Sequence, residues 1–197
     1  MGERGIVIHK GINQVRKQLP LILEDAENSL TPLGRELFAG QHEKLKQLDN
    51  EIKAQDQRIS RLCSQNPLRG RFLEVPGIGP MMATIIASDL GDGKGYAGSR
   101  DYAASLGIVP KQHGSCDKPV YMGISKRGNR HIRTLLIHGA RAVLKNCSDK
   151  TDKMNLWLQS LIGRRGFNKA AVALANKNAR ILWAMATKGE AYQPATP

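Results

Sequence analysis

The longest helical pattern of the chain lies between Thr31 and Gln65, where no proline follows Pro32. Thr31 is a preferred N-cap residue and proline is favoured at the first helical position, so the helix is expected to begin at Pro32. Within it, apolar side chains recur at heptad spacing, at Leu45, Leu48, Ile52, Ile59 and Leu62. Such a seam is typical of coiled coils, which bury it against another helix. The sequence therefore predicts one long helix with a helical partner.

Two partners are open for this seam. A second copy of the chain is favoured, which would give a coiled-coil dimer or a higher homo-oligomer. The alternative is a helical hairpin within the chain. A shorter helix is predicted upstream, from Gln14 to Asn28, with an interruption or kink at Pro20.

A second pattern centres on the sequence PGIGP at residues 76–80. One helix is expected to end near Val75, since the residue before a proline avoids the helical conformation, and another to begin at about residue 80. The two glycines permit a tight turn between them. This turn resembles a helix-hairpin-helix motif, whose backbone N–H groups at Gly77, Ile78 and Gly79 would bind a phosphate without reading base sequence. A plain tight turn between two core helices is the alternative.

Residues 102–145 combine a helix end, a polar loop and a basic helix. Residues 102–106 are expected to form a short helix that ends at Gly107, and residues 111–123 a polar, basic loop that contains Ser115. Asn129 is expected to cap a helix with one apolar face and with arginines elsewhere on its surface. Loop and helix together carry the candidate DNA contacts Lys111, Lys118, Lys126, Arg127, Arg130 and Arg133.

Two further helices are expected near the C-terminus, one from Asp152 to Ile162 and one from an Asn168 cap to about Thr187. Only 5% of the residues are aromatic, so the core must use Ala, Leu, Ile and Val, which suit helices. The predicted fold is all-α. It comprises a connector and coiled coil over residues 1–66, a compact helical domain with the hairpin turn over residues 67–190, and a disordered tail over residues 191–197.

Basic residues concentrate in the second part of the chain. Residues 67–197 hold 20 Lys and Arg against 8 Asp and Glu, whereas residues 1–66 hold 10 against 9. A polyanion-binding surface is therefore expected in the second part. Nucleic acid is the commonest such partner, because neutralised phosphates release their condensed counterions. Charge alone also leaves open a basic protein without a specific partner.

Cysteine usage and hydropathy narrow the class of protein. Cys63, Cys116 and Cys147 are odd in number and lack CxxC spacing, which favours a reduced protein with neither a disulfide framework nor a zinc site. No apolar run approaches the ~18–20 residues of a membrane span. No secretion signal is visible at the N-terminus. We therefore expect a cytoplasmic protein with no metal or cofactor site in this chain.

Ser115 is the candidate nucleophile. A loop serine beside several arginines offers what attack on a DNA phosphate requires, because the hydroxyl needs a held phosphate and cations offset the developing charge. Arg127, Arg130 and Arg133 recur every three residues and are expected to form a stripe beside the loop. Most loop serines only contact solvent or cap helices, so spacing alone does not single out Ser115.

A family resemblance does single it out. The chain is similar to the C-terminal part of insertion-sequence transposases of the one-ten family, in particular the eleven-eleven subgroup. The matching stretches are LPLILEDAENSL at 19–30, PGIGP at 76–80, LGIVPKQH at 106–113, ISKRGNRHIRTLLIHGARAV at 124–143 and NKAAVALANKNARILWAM at 168–185. They cover nearly the whole chain in the right order. The resemblance implies DNA transposition through Ser115, guidance by a bridge RNA, and magnesium held by an amino-terminal domain like the RuvC resolvase.

Two departures from the family pattern bear on activity. The family serine lies in a Ser-Gly pair, whereas Cys116 and Asp117 stand here in place of glycines. No acidic domain precedes the connector, so we expect a truncated copy or a fragment that binds nucleic acid on the bacterial nucleoid but is inactive alone. A non-catalytic helix-hairpin-helix DNA-binding module and a guide-RNA-binding scaffold are the alternatives.

Overall fold

Eight helices and one two-stranded sheet form the part of the chain that the computed structural model describes, residues 5–113 and 120–194. In chain order they are α1 Ile12–Glu24, α2 Pro32–Ser64, α3 Pro67–Phe72, α4 Pro80–Leu90, α5 Ser99–Ser105, β1 Pro110–His113, β2 Val120–Ile124, α6 Arg130–Lys145, α7 Lys153–Arg165 and α8 Phe167–Lys188. The prediction of an all-α fold is confirmed, since the sheet is a single small antiparallel hairpin. Within these residues, no helix has the length and apolar character that crossing a bilayer requires.

The chain divides into two compact units between Gln57 and Arg58, within α2. The domain boundary predicted near residue 66 lies just beyond the end of the same helix. In the first unit, α1 and the first part of α2 form a helical hairpin, in which Arg16 Nε donates to Asp49 Oδ2 at 2.8 Å. Leu19 is buried in this unit. The intrachain hairpin that the sequence left open is therefore present here.

Polar side chains set the ends of these two helices. Thr31 Oγ1 accepts a hydrogen bond from the Gly34 N–H at 3.2 Å, which confirms the predicted cap of α2. α1 ends at Glu24, earlier than predicted, because the backbone of Asp25 is extended. The side-chain amide of Asn28, the predicted last residue, instead donates back to a carbonyl oxygen of α1 at 2.5 Å.

α8 is the central helix of the second unit and contacts α3, α4, α5, α6 and α7. Its buried positions are Ala170, Ala171, Leu174, Ala175, Asn178, Ala179, Leu182 and Met185. Four of the eight are alanines, and small side chains let neighbouring helices approach closely. Val172 and Trp183 of the same helix are only half-buried. Because other helices pack on several sides of α8, its buried residues do not form a single amphipathic stripe.

Two local predictions are wrong. α8 begins at Phe167 after Gly166, and Asn168 is not its cap; the Asn168 side chain instead accepts a hydrogen bond from Arg141 at 3.0 Å. Residues 110–113 and 120–124 are strands within the segment expected to be an exit and a loop. The helix that the sequence expected to end near Val75 is α3, which ends at Phe72 and whose first turn is capped by the Asn66 side chain.

The described C-terminal residues lie against the second unit. Tyr192, in the segment predicted as a tail, is half-buried. Its N–H donates to Glu74 Oε2 at 3.1 Å. Residues 195–197 of the predicted tail lie outside the described residues.

Candidate functional site

The turn at residues 76–80 is pressed against helix α6. Gly77 has a φ of 87°, which favours glycine. A Cβ at Gly77 would lie 2.8 Å from the carbonyl oxygen of Gly139, and a Cβ at Gly139 would collide with the carbonyl oxygen of Gly77. From α8, Asn178 Nδ2 donates to Pro76 O at 2.9 Å. The turn is therefore fixed relative to both helices.

The other side of this turn is open to solvent at Gly79 and Pro80. Pro80 begins α4, and Gly79 offers no side-chain cap, so N–H groups of the first turn of α4 have no helical partner. Ile78 is 7% exposed, and its N–H donates to Val75 O at 3.0 Å. Among the three predicted phosphate contacts, Gly79 lies on the open side, whereas Gly77 and Ile78 shape the turn.

Two interlocked turns form the base of the β-hairpin. Gly107 precedes β1 and Gly128 follows β2, with φ of 70° and 84°. A Cβ at Gly107 would collide with the carbonyl oxygen of Arg127, and a Cβ at Gly128 with that of Ser105. The Lys126 N–H also donates to Gly107 O at 3.1 Å. The backbone of one turn therefore packs directly on the backbone of the other. These two turns hold the ends of β1 and β2 in place.

Arg133 ties this base together from inside. It was expected on the surface of α6 as a DNA contact, but it is only 9% exposed. Its Nη1 donates to Leu106 O at 3.0 Å and to Arg127 O at 3.3 Å, one carbonyl from each turn. The expected surface position is wrong, because two buried carbonyl oxygens need a donor that the turns themselves do not supply. We therefore assign Arg133 a structural role.

Four of the predicted DNA contacts surround the base of the β-hairpin. Lys111, Lys126, Arg127 and Arg130 are all exposed. Lys111 and Arg127 line a groove of about 500 Å³, together with Val109, Pro110, Gln112 and Ser125. None of the described residues that line this groove is acidic, so their charge favours a phosphate there.

Ser115 and Lys118 lie outside the described residues, as do Cys116 and Asp117. The strands on either side pair antiparallel, with His113 opposite Val120. In the sequence, Ser115 comes two residues after His113. It therefore belongs to the segment that connects the two strands.

Two asparagines of α8 were not predicted to support the candidate site. Asn176 Nδ2 donates to Ile108 O at 3.2 Å, at the start of the β-hairpin, and Asn178 donates to the turn at residues 76–80. Asn178 is 2% exposed. An asparagine on the apolar face of a predicted helix could have indicated such a contact, because a buried amide needs a hydrogen-bond partner.

Metal-binding residues do not cluster in the described part of the chain. Within it, no three His, Cys, Asp or Glu side chains come together as a metal site would need. Cys63 and Cys147 are buried and free.

Comparisons with known proteins agree on one class. Residues 70–154 match the family model described as Transposase IS116/IS110/IS902 family. The chain is 41% identical, over 97% of its length, to the transposase for insertion sequence element IS1111A of Coxiella burnetii, and covers 52% of that protein. It is also 41% identical over 97% of its length to a probable family 20 transposase of Pseudomonas aeruginosa, of which it covers 59%. For the transposase of element IS1328 of Yersinia enterocolitica the identity is 35% over 96% of the chain and 56% of the relative. The chain thus spans between half and three-fifths of these relatives.

Proposed function

This chain belongs, through residues 70–154, to the IS116/IS110/IS902 family of transposases, and we propose that it binds DNA during transposition through the base of its β-hairpin. The observation that carries the proposal is the interlocked pair of turns, which holds the strands among four exposed cations. Cations at fixed positions neutralise phosphates and release counterions. Fixed positions also reduce the entropy lost on binding. Such binding would place the protein on the bacterial nucleoid.

A second phosphate contact is proposed at the turn of residues 76–80. Gly79 lies on the open side of the turn, and α4 begins directly after it. N–H groups at a helix N-terminus favour an anion, and contacts of this kind position the duplex without reading its sequence. The close approach of Gly77 to Gly139 of α6 holds the turn in place.

Ser115 is proposed as the nucleophile of the intact family protein. Its Oγ attacks a DNA phosphorus, a phosphoserine ester forms, and the displaced strand hydroxyl leaves with a proton. Attack by the hydroxyl of a second DNA end then breaks the ester and joins the two ends. The exposed guanidinium groups of Arg127 and Arg130 would offset the charge on the phosphate. Magnesium is proposed to be bound by the amino-terminal domain of the intact protein.

A homo-oligomer is proposed to bring two DNA ends together. On α2, the seam residues Leu48, Ile52 and Leu62 are 46%, 59% and 42% exposed. Three large apolar side chains at heptad spacing favour burial against a second copy of the same helix. This proposal is compatible with the helical hairpin of the first unit, because the hairpin leaves Leu48 and Ile52 exposed.

A guide RNA is proposed as a further partner. A cleft of about 520 Å³ is lined by Trp157, Lys177 and Arg180, with the Lys177 Nζ 4.8 Å from the centre of the Trp157 ring. RNA-binding proteins combine aromatic faces with cations to hold unpaired bases and phosphates. The cleft supports this proposal by its composition.

A non-catalytic DNA-binding module is the second candidate function. Cys116 and Asp117 follow Ser115, where the family pattern has glycines. Side chains at those positions restrict the backbone conformations and the close approach that glycine allows. DNA binding is unaffected by this difference, whereas alignment of the serine with a phosphate would be impaired.

A test for a covalent adduct determines whether Ser115 reacts with DNA in this chain. The protein is incubated with supercoiled DNA that carries candidate element ends, with magnesium, and analysed on a denaturing gel. Salt-sensitive DNA binding without an adduct is expected for this chain alone. An adduct that Ser115→Ala abolishes, and that the exposed-loop control Ser148→Ala retains, would show that the chain is a working enzyme.

A further inference from the structure

One face of helix α6 carries basic side chains at both of its ends. Arg130 and Arg141 are eleven residues apart, about three helical turns, so they lie on the same side of the helix. His138 and Lys145 are their neighbours on this face, at spacings of three and four residues from Arg141. The line from Arg130 to Lys145 measures about 22 Å at ~1.5 Å per residue. It runs from the base of the β-hairpin to the far end of α6.

A cleft lies at that far end, between α6 and the start of α8. Its volume is about 580 Å³, and it is lined by His138, Arg141, Ala142, Lys145, Phe167 and Asn168. None of these residues is acidic. The electrostatic character of the cleft is therefore that of an anion-binding surface.

Arg141 gives this cleft a fixed cationic wall. Its Nη2 donates to Asn168 Oδ1 at 3.0 Å, which joins the two helices. Its Nε is buried and has no hydrogen-bond partner among the described residues. The guanidinium group of Arg141 lines the cleft and carries a positive charge, and phosphate is the anion that its planar geometry suits.

Phe167 gives the cleft an aromatic surface. It is 37% exposed, whereas Phe72 in the same unit is fully buried. Bases stack on exposed aromatic rings when they are unpaired, but a base inside a duplex has both faces covered. The ring therefore fits an unpaired base, and the neighbouring cations fit the phosphates on either side of it.

We infer that this cleft binds an unpaired nucleotide of the DNA whose backbone lies on Arg130. The inference rests on the proposed DNA binding and adds to it a second contact, about 16 Å along α6 from Arg130. That distance corresponds to about five nucleotides at the ~3.4 Å rise of one strand. The cleft would then favour DNA that is gapped or frayed beside the hairpin over DNA that is fully paired.

The test compares two DNA probes that share one sequence. One is a fully paired duplex, and the other contains a short unpaired stretch in one strand. Dissociation constants are measured by fluorescence anisotropy at a single salt concentration. Phe167→Leu is expected to weaken binding of the gapped probe about fivefold or more and to leave the paired probe unchanged, because leucine keeps the apolar contact but lacks a ring.

Two controls separate the loss of stacking from damage to the fold. Phe167→Tyr keeps the ring and is expected to bind both probes as the unaltered protein does. Leu156→Ala removes another exposed apolar side chain, 50% exposed on α7, and is expected to change neither affinity. Thermal unfolding of each variant verifies that it is folded.

The outcomes distinguish this inference from the proposed function. If the unaltered protein binds neither DNA probe, DNA binding itself is wrong. If it binds both and Phe167→Leu changes neither affinity, or changes both equally, the cleft is not a site for an unpaired nucleotide. A single-stranded RNA of the same sequence is measured as a third probe, and if Phe167→Leu weakens binding of that RNA alone, the inferred DNA ligand is wrong.

Discussion

At the residue scale, glycines set the positions of both proposed phosphate-binding elements. Gly77 meets Gly139, and the turns at Gly107 and Gly128 interlock with each other. In both places backbone approaches backbone with no space for a Cβ. These contacts join segments far apart in the sequence, so they hold the turn at residues 76–80 and the β-hairpin on one scaffold around α6.

The contact at Gly139 is testable against a matched glycine. Gly139→Ala places a methyl group against the Gly77 carbonyl, and overpacking of this kind is expected to lower the free energy of unfolding by about 1–3 kcal/mol. Gly163→Ala, at an exposed position of α7, places its methyl group within 4 Å of nothing and is expected to raise the free energy of unfolding by up to about 1 kcal/mol. Urea denaturation measures both. Equal changes for the two variants would contradict the close packing.

Buried polar residues were the hardest to interpret from the sequence at this scale. The spacing of Arg127, Arg130 and Arg133 predicted three equivalent surface cations, and two of them are exposed. Arg133 differs because two carbonyl oxygens, at Leu106 and Arg127, converge on it in three dimensions. The spacing of residues in α6 cannot predict the positions of carbonyl groups that belong to other segments of the chain.

At the scale of elements, caps and breakers predicted the helices well. The starts of α2 at Pro32 and of α4 at Pro80 follow from the preferred place of proline at the first helical position. Asn129 caps α6 as predicted, since its side chain accepts from the His131 and Ile132 N–H groups. The β-hairpin was missed because PKQH and VYMGI lack the strict alternation of a half-buried sheet. These strands pair only with each other.

The seam of α2 shows why a heptad pattern does not identify its partner. In the first unit Arg16 of α1 pairs with Asp49, so part of the helix has an intrachain neighbour. Leu48 and Ile52 on the same helix nevertheless stay exposed. The heptad pattern indicates that α2 has an apolar face, but it does not identify what covers that face.

The proposed second copy is testable at Ile52. Ile52→Lys places a charge in the seam and is expected to convert an oligomer to a monomer, because burying an unpaired charge is costly. Gln57→Lys adds the same charge at an exposed position away from the seam and is expected to leave the oligomer intact. Light scattering at several concentrations measures the mass. A monomeric unaltered protein would contradict the proposed homo-oligomer.

At the scale of the whole molecule, charge and family support the same function. Residues 67–197 have a net charge of +12, from 20 basic and 8 acidic residues, and the family model matches within this range. Composition predicted a polyanion as partner, but it did not identify which cations are near each other. The structure supplies that arrangement at the base of the β-hairpin, where exposed cations surround a rigid pair of turns.

The measurement that tests this account most directly is DNA affinity as a function of salt concentration. The variant Lys111→Ala, Arg127→Ala and Arg130→Ala removes three exposed cations beside the hairpin. The matched control removes three exposed lysines elsewhere, as Lys44→Ala, Lys53→Ala and Lys188→Ala. We predict that the hairpin variant binds at least tenfold more weakly and that its logarithmic salt slope is lower by about three, whereas the control stays close to the unaltered protein. Equal affinities and equal slopes for the two variants would contradict DNA binding at the hairpin base.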